Sequence, residues 1–222
     1  MTRHASNRSD APRSRSRKTS STGSGTRGRP RSFDIDAALD AALMLFWRRG
    51  YEGTSLAALS EAMGINSPSL YAAFGNKEQL FRKALDRYLQ RPATYLPLAL
   101  QQPTARQAAE KLFEGAINMV LNPQHADGCL LVQGALAAGP PAESIRKELA
   151  QRRAGAEALI RQRFQQAVDG GELPSGVDAA QLARYVMTVI WGMSVQRAGG
   201  ATRADLEQVA SLAMRCWPAG DR

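Results

Sequence analysis

Apolar side chains recur along this chain at the three- and four-residue spacing that places them on one face of an α-helix. Glycines and prolines separate the periodic segments, and none of these segments alternates apolar and polar residues as a half-buried strand does. The pattern therefore predicts an all-α protein. The predicted helices cover residues 34–49, a pair of short segments within 54–74, and then 77–91, 104–121, 128–138, 142–168, 178–198 and 202–217.

The short pair is the most informative part of the chain. Thr54 and Ser55 are suited to cap its first helix, which a glycine then ends. Asn66 caps the second helix, and Pro68 fits its first turn, where the missing N–H leaves no bond unmade. Two short helices joined by a tight turn form a helix-turn-helix, which presents one helix to the major groove of DNA.

The second helix of the pair has a surface of small side chains. Leu70 and Phe74 are four residues apart and are expected to point back into the core. The other faces hold Ser67, Ser69, Tyr71, Ala72 and Ala73. A helix that must approach base edges closely needs such a surface.

Prolines interrupt the helical periodicity after the fourth predicted helix. Pro92, Pro97 and Pro103 interrupt residues 92–103, which we interpret as a hinge. The sequence therefore predicts an N-terminal DNA-binding domain over residues 33–91. A larger helical domain follows over residues 92–222.

Positive charge is concentrated at the N-terminus. Residues 1–32 hold nine basic residues and one acidic residue, so they supply +8 of the net charge of +9. Their composition of Ser, Thr, Arg and Gly predicts a disordered basic arm. Its end, with Arg29 and Arg31, is suited to a narrow A·T-rich minor groove. The alternatives are a solubilising tail or a tail that drives nonspecific DNA compaction.

Other classes of protein are disfavoured. No segment approaches the roughly 20 apolar residues that cross a membrane, and no apolar stretch follows the basic N-terminus as in a secretory signal. Cys129 and Cys216 stand far apart, so we expect reduced thiols, a cytoplasmic location and no cofactor. His125 and Asp127 lack a third ligand at useful spacing, so no metal site is expected.

A distinctive set of residues stands in fixed order between positions 33 and 89. It comprises Ala42, Leu45, Phe46, Gly50, Tyr51, Thr54, Ser55 and Leu56, then Ala62-Met63-Gly64-Ile65, then Ser69-Leu70-Tyr71 and Phe74-Gly75-Asn76-Lys77-Glu78-Gln79-Leu80. In this order the set resembles the TetR family of bacterial transcriptional regulators. The resemblance implies a fold of about nine helices. The first three would bind DNA, the fourth would link the domains, and the last two would pair with a twin subunit.

The resemblance also implies roles for single residues. Thr54, Ser55, Tyr71 and Lys77 match positions that contact phosphates, and a lysine at a helix N-terminus adds charge to an anion site. The candidates to meet base edges are Ser67, Pro68, Ser69 and Ala72. Because these side chains are poor hydrogen-bonding groups, we expect readout through methyl contacts, DNA shape and water.

The last two predicted helices are expected to form a homodimer as a four-helix bundle. Candidate interface residues are Leu182, Tyr185, Val186, Val189, Ile190 and Met193 on one helix and Leu206, Val209 and Ala213 on the other. A two-fold dimer suits a palindromic operator in double-stranded DNA, because a helix-turn-helix usually reads two half-sites. The alternative is that these stripes face the chain's own core.

Together these expectations describe a ligand-responsive DNA-binding regulator, most simply a repressor that a small molecule releases from its operator. An effector of unknown identity would bind the DNA-free state better. By linkage, it would lower the affinity for the operator by the same factor by which the operator lowers the affinity for the effector. Met119, Met187, Trp191 and Phe113 are candidates for the wall of its site, although they suit an ordinary core equally well.

Cys129 offers an alternative, a repressor that senses electrophiles or redox state through a thiol. The segment from Gly128 to Ala135 is similar to one found in a subgroup of the family. Reactivity would need a lowered pKa, which a helix N-terminus after Gly128 would supply, whereas a small buried residue would be inert. An enzyme that uses Cys129 or His125 is a remote alternative without a neighbouring base or paired acids, so no catalytic residue is predicted.

Overall fold

The computed structural model describes residues 33–90, 95–136 and 142–218. Within these ranges the chain forms ten α-helices and no strand, so the all-α prediction is confirmed. The helices are α1 (Ile35–Arg49), α2 (Leu56–Met63), α3 (Ser67–Phe74), α4 (Lys77–Leu89), α5 (Tyr95–Leu100), α6 (Ala105–Val120), α7 (Leu130–Leu136), α8 (Glu143–Asp169), α9 (Ala179–Ala198) and α10 (Arg203–Arg215). We call α1–α4 the head and α5–α10 the body.

One helix was not predicted. The short α5 lies in the segment whose prolines indicated a hinge. Pro97 stands in the first turn of α5, where a proline removes no hydrogen bond that the helix would otherwise make. A proline count alone therefore overestimated how irregular this segment is.

Side-chain caps set the helix boundaries in the head. Ser55 accepts a hydrogen bond from the Ala58 N–H at 3.1 Å, and Asn66 accepts one from the Ser69 N–H at 2.9 Å. Both predicted caps are confirmed. Gly64 ends α2 in the left-handed conformation, with φ of 64°, which a residue with a side chain rarely adopts.

The head closes around large apolar side chains from all four of its helices. Leu43 and Phe46 of α1, Leu59 of α2, Leu70 of α3 and Phe81 of α4 are fully buried. The rings of Phe46 and Phe81 meet edge to face with their centroids 5.0 Å apart. Because α3 contributes both Leu70 and Phe74 to this core, its opposite face is left to solvent.

The core of the head continues into the body. Ala126, Cys129 and Leu130 pack in the same buried cluster as the apolar residues of α1 and α4, together with Ile145 from the start of α8. From Phe33 onward the chain forms one compact unit. The division into domains at residues 91 and 92 stays a prediction.

A second core lies within the body. Phe113 of α6, Ile160 and Phe164 of α8, and Ile190 of α9 are buried together. Trp217, which follows α10, meets the ring of Phe164 edge to face at a centroid distance of 5.3 Å. Among the helices described, none combines the length and the apolar character that crossing a lipid bilayer requires.

Ion pairs join α1, α4 and α8 at the surface. Arg87 of α4 binds Asp40 of α1 at 2.9 Å, and Arg152 of α8 binds Asp86 of α4 at 2.6 Å. These side chains are partly solvated, so each pair contributes little to stability. They link α4 to α1 on one side and to α8 on the other.

Thr54 connects α1 to α2. Its hydroxyl donates a hydrogen bond to the backbone carbonyl oxygen of Gly50 at 2.7 Å, and the residue has no exposed surface. Gly50 ends α1 with φ of 71°, which favours glycine. The hydroxyl of Thr54 therefore satisfies a carbonyl at the turn between the two helices.

Thr54→Val should lower the free energy of unfolding by about 1–2 kcal/mol, because it leaves the Gly50 carbonyl without its buried donor. Urea unfolding followed by circular dichroism measures this. Thr188→Val is the matched control, since the exposed Thr188 hydroxyl bonds to the Arg184 carbonyl within α9, and we expect less than about 0.5 kcal/mol. Equal losses in the two variants would contradict the role given to Thr54.

Candidate DNA-binding surface and effector cavity

The outer face of α3 is open to solvent. Ser67, Pro68, Tyr71 and Ala72 are exposed, Tyr71 at 50% of its surface, whereas Ser69 is half-buried. These five predicted site residues lie on one short helix that the buried Leu70 and Phe74 hold against the head. The face has no charged side chain of its own.

Lys77 stands at the start of α4, next to this surface. Its ammonium lies 4.4 Å from the centroid of the Tyr51 ring, a distance typical of a cation–π interaction. Burial lowers the pKa of the Lys77 amine, and the negative charge of Glu52 acts in the opposite direction. The ring of Tyr51 thus holds the cation in place at the helix N-terminus.

The two predicted phosphate contacts before α2 differ. Ser55 is exposed, so its position agrees with a surface contact. Thr54 does not agree: the residue is fully buried and its hydroxyl is engaged by Gly50, so the prediction of a phosphate contact at Thr54 is wrong for this structure. Arg29 and Arg31, with the rest of the predicted arm, lie outside the described residues.

A cavity of about 110 Å³ lies between the head and the body. Its wall is mostly apolar and aromatic, and no Asp, Glu, Lys or Arg lines it. The lining residues include Trp47, Tyr88, Tyr95, Met119, His125, Cys129, Met187, Ile190, Trp191 and Ser194. Met119, Met187 and Trp191 were candidates from the sequence, whereas Phe113 lies in the core of the body.

Cys129 forms part of the cavity wall. Its Sγ lies 3.2 Å from the hydroxyl oxygen of Tyr88, and the residue is 7% exposed. Burial raises the pKa of the thiol, although the Tyr88 hydroxyl, backbone N–H groups of α7 and the charge of Arg153 oppose the shift. Burial therefore outweighs the helix N-terminus, and the pKa is not lowered as the thiol-sensing alternative would need.

His125 has a packing role beside the same cavity. Its Nδ1 lies 3.1 Å from the carbonyl oxygen of Met119, and its ring centroid is 5.0 Å from that of Trp47. No group of three His, Cys, Asp or Glu residues in the described part of the chain could hold a metal ion.

The candidate dimer residues separate into two groups. Tyr185 and Val209 are exposed, and Leu182 and Val189 are half-buried. The others are buried in the chain's own core, which agrees with the alternative that these stripes face that core; they are Val186, Ile190, Met193, Leu206 and Ala213.

Three further apolar side chains, which the sequence did not single out, are exposed on α8, α9 and α10. They are Leu159 of α8, Val195 of α9 and Leu212 of α10. Leu159 and Leu212 have apolar neighbours in the sequence, whereas Val195 stands between Ser194 and Gln196, so no shared local pattern selects the three. With Tyr185 and Val209 they define the exposed apolar face of α8–α10.

Known proteins resemble both halves of the chain. Residues 38–84 match the family described as "Bacterial regulatory proteins, tetR family", and residues 105–210 match "Tetracyclin repressor-like, C-terminal domain". The HTH-type transcriptional repressor ComR of Escherichia coli (strain K12) is 38% identical over 195 residues, which are 87% of this chain and 93% of ComR. The regulator YezE of Bacillus subtilis (strain 168) is 30% identical over 72% of this chain and 83% of its own length.

A solved structure extends the likeness to the fold. A cysteine-substituted form of the TetR family transcriptional regulator CifR, in complex with 26-base-pair double-strand operator DNA, is 42% identical. The match covers 86% of this chain and the whole of the CifR chain, with a TM-score of 0.82.

The helix-turn-helix head and the helical body define a DNA-binding transcriptional regulator. The chain belongs to the TetR family. Its relatives are regulators rather than enzymes.

Iodoacetamide should alkylate Cys129 at least about tenfold more slowly than the exposed Cys216 near neutral pH, because only an accessible thiolate reacts. Since burial raises the pKa of Cys129, its rate should still be rising above about pH 8.5, the ordinary thiol value. Mass spectrometry of the single-cysteine variants Cys216→Ser and Cys129→Ser gives both rates. A Cys129 rate that equals or exceeds that of Cys216 at neutral pH would overturn this assignment.

Proposed function

We propose that this protein is a cytoplasmic homodimeric repressor, and that a small uncharged molecule in the cavity releases it from a palindromic operator. The observation that carries the proposal is that the cavity wall includes side chains of the head itself, Trp47 of α1 and Tyr88 of α4. A molecule bound there contacts the DNA-binding helices without an intermediate element. Its binding can thereby shift the equilibrium between DNA-binding and DNA-free states.

On DNA, α3 enters the major groove. Ser67, Pro68, Ser69 and Ala72 approach base edges, and their small size favours readout through methyl contacts, water and DNA shape. Ser55, Tyr71 and Lys77 contact phosphates, and Arg29 and Arg31 add contacts in the minor groove. Affinity therefore depends more on phosphates than on base edges.

A second copy of the chain covers the exposed apolar face of α8–α10. Tyr185, Val209 and Leu212 expose between 39% and 54% of their surface. An exposed apolar surface of this kind favours association, and a two-fold dimer places two recognition helices for two half-sites.

The cavity wall favours one chemical class of effector. Because no charged side chain lines it, a charged molecule would lose its hydration without gaining an ionic partner. The lining residues that carry a polar side-chain group are Trp47, Tyr88, Tyr95, His125, Cys129, Trp191 and Ser194. The effector is therefore a compact, largely apolar molecule with one or two hydrogen-bonding groups.

Sensing through Cys129 is the second candidate function. The position of its Sγ in the cavity wall, beside the Tyr88 hydroxyl, favours it, because a molecule in the cavity would touch the thiol. The raised pKa of the thiol opposes it. Release of the operator by an electrophile, abolished in Cys129→Ala but not in Cys216→Ala, would support this second candidate.

The proposal as a whole is tested by selecting bound duplexes from a random DNA pool. We expect an inverted repeat, and a panel of small uncharged molecules should then include one that releases the protein from that duplex. Enrichment of no sequence at all would sink the proposal.

Lys77→Ala should weaken binding to all duplexes and reduce the slope of log affinity against log salt by about one unit, because one phosphate contact is lost. Fluorescence anisotropy at several salt concentrations measures the slope. Lys111→Ala, which removes an exposed lysine paired with Glu114 on α6, is the matched control and should leave the slope unchanged. An unchanged slope for Lys77→Ala would exclude the phosphate contact.

Leu212→Glu should convert the dimer to a monomer, because two buried carboxylates would lie at the two-fold interface. Sedimentation velocity measures the mass, and affinity for the selected inverted repeat should fall with it. Leu98→Glu places the same charge at an exposed leucine of α5 and should leave the dimer intact. If Leu98→Glu dissociates the protein and Leu212→Glu does not, the interface lies elsewhere.

A further inference from the structure

The loop between α6 and α7, residues 121–129, is held from two sides. On one side it contacts Trp47 of α1, in the head, and on the other it contacts α9. The exposed face through which we propose dimerisation includes residues of α9. The loop therefore connects the DNA-binding head to one of the helices of the proposed dimer face.

Trp47 is the contact on the head side. Its indole N–H donates a hydrogen bond to the carbonyl oxygen of Gly128 at 3.2 Å, and its ring lies beside His125. The ring also meets Tyr88 edge to face at a centroid distance of 4.8 Å. Because Trp47 is 1% exposed, it has little room to move independently of α1.

The loop also contacts α9. Arg197 of α9 binds the carboxylate of Asp127 at 2.9 Å. A Cβ added at Gly128 would lie 3.2 Å from the carbonyl oxygen of Ser194 and 2.5 Å from the side-chain nitrogen of Gln133, so this glycine packs closely against α9 and α7. Its φ of 81° is a further reason for glycine at this position.

The cavity is lined by the residues that join α1 and α4 to the loop. Four of the lining residues are Trp47, Tyr88, His125 and Cys129. The hydroxyl oxygen of Tyr88 lies 3.2 Å from the sulfur of Cys129. Volume added beside Cys129 therefore presses on Tyr88, and Tyr88 lies against the indole of Trp47. Packed interiors transmit such displacements because they contain little free space to absorb them.

We infer that Trp47 is the positioning residue that carries the state of the cavity into the head. This inference rests on the proposed function and names the route by which that response travels. With the cavity unfilled, the indole holds α1 in a fixed position relative to the loop. Through the ion pair of Asp127 and Arg197, it also holds α1 in a fixed position relative to α9. Filling the cavity displaces the indole from the Gly128 carbonyl and releases α1 from that position.

A double-mutant cycle tests this route without an identified effector. Cys129→Met serves as the filler, since its longer side chain extends the cavity wall beside Tyr88. Operator affinity is measured by fluorescence anisotropy, with a duplex selected by the native protein, for the native chain, Cys129→Met, Trp47→Phe and the double variant. Trp47→Phe keeps an aromatic ring but removes the N–H and leaves space for the filler.

We expect Cys129→Met to weaken operator binding about tenfold in the native background, within the usual range of coupling between sites. In the Trp47→Phe background the loss should be less than about twofold, because the two changes share one structural element. Trp217→Phe is the matched control, since Trp217 is a buried tryptophan of the body outside the cavity. The full tenfold loss should persist in that background.

Two results would overturn the inference. One is an equal loss in the Trp47→Phe and native backgrounds, and the other is no loss in the native background. Thermal unfolding of each variant separates loss of binding from loss of fold, and Ala156→Met supplies a filler from α8 if Cys129→Met does not fold. The indole N–H resonance of Trp47 gives an independent readout, because filling should reduce its protection from hydrogen exchange.

The cycle also separates this inference from the proposed function. If selection from random DNA enriches no sequence, the proposed function fails before the cycle is begun. If an operator is found and an uncharged molecule releases it, but the cycle is additive, the proposed function stands. Trp47 is then excluded as the route.

Discussion

The packing of α1 is the constraint on which the rest of the structure depends. This helix is buried by α2 and α4 within the head, and its Trp47 extends beyond the head to the loop before α7. A head of four short helices has little apolar surface to bury by itself, and small domains are correspondingly marginal. By sharing its core with Ala126, Cys129 and Leu130, the head gains stability and loses independence from the body.

That shared core is the physical basis on which we propose that the cavity influences DNA binding. A ligand shifts an equilibrium only by its differential affinity for the two states. A cavity lined wholly by the body would need a further moving part to reach the head. Here Trp47 and Tyr88 belong both to the cavity wall and to helices of the head, so a change in the wall is already a change in the head.

Sequence reasoning recovered the features that depend on local chemistry. Ser55 and Asn66 cap their helices as predicted. Leu70 and Phe74, four residues apart, are buried on one face of α3, so the opposite face is exposed. It failed where the partner of a side chain decides its role. Periodicity places Val186 and Ile190 on an apolar stripe, but it does not say whether the chain's own core or a twin covers that stripe. Thr54 was predicted as a cap, but its buried hydroxyl bonds to the Gly50 carbonyl. The pKa of the Cys129 thiol is set mainly by burial, which no local sequence pattern shows.

The short side chains of α3 have a consequence for how such a regulator diverges. Serine and alanine at the exposed positions fill little of the groove, so few contacts would have to be given up when one residue is exchanged for a longer one. On the proposed mode of binding, a new arginine or glutamine there would add a base preference to contacts made mainly with phosphates. Duplicated copies of the gene would therefore be free to acquire distinct target sites by single steps, without passing through an inactive form.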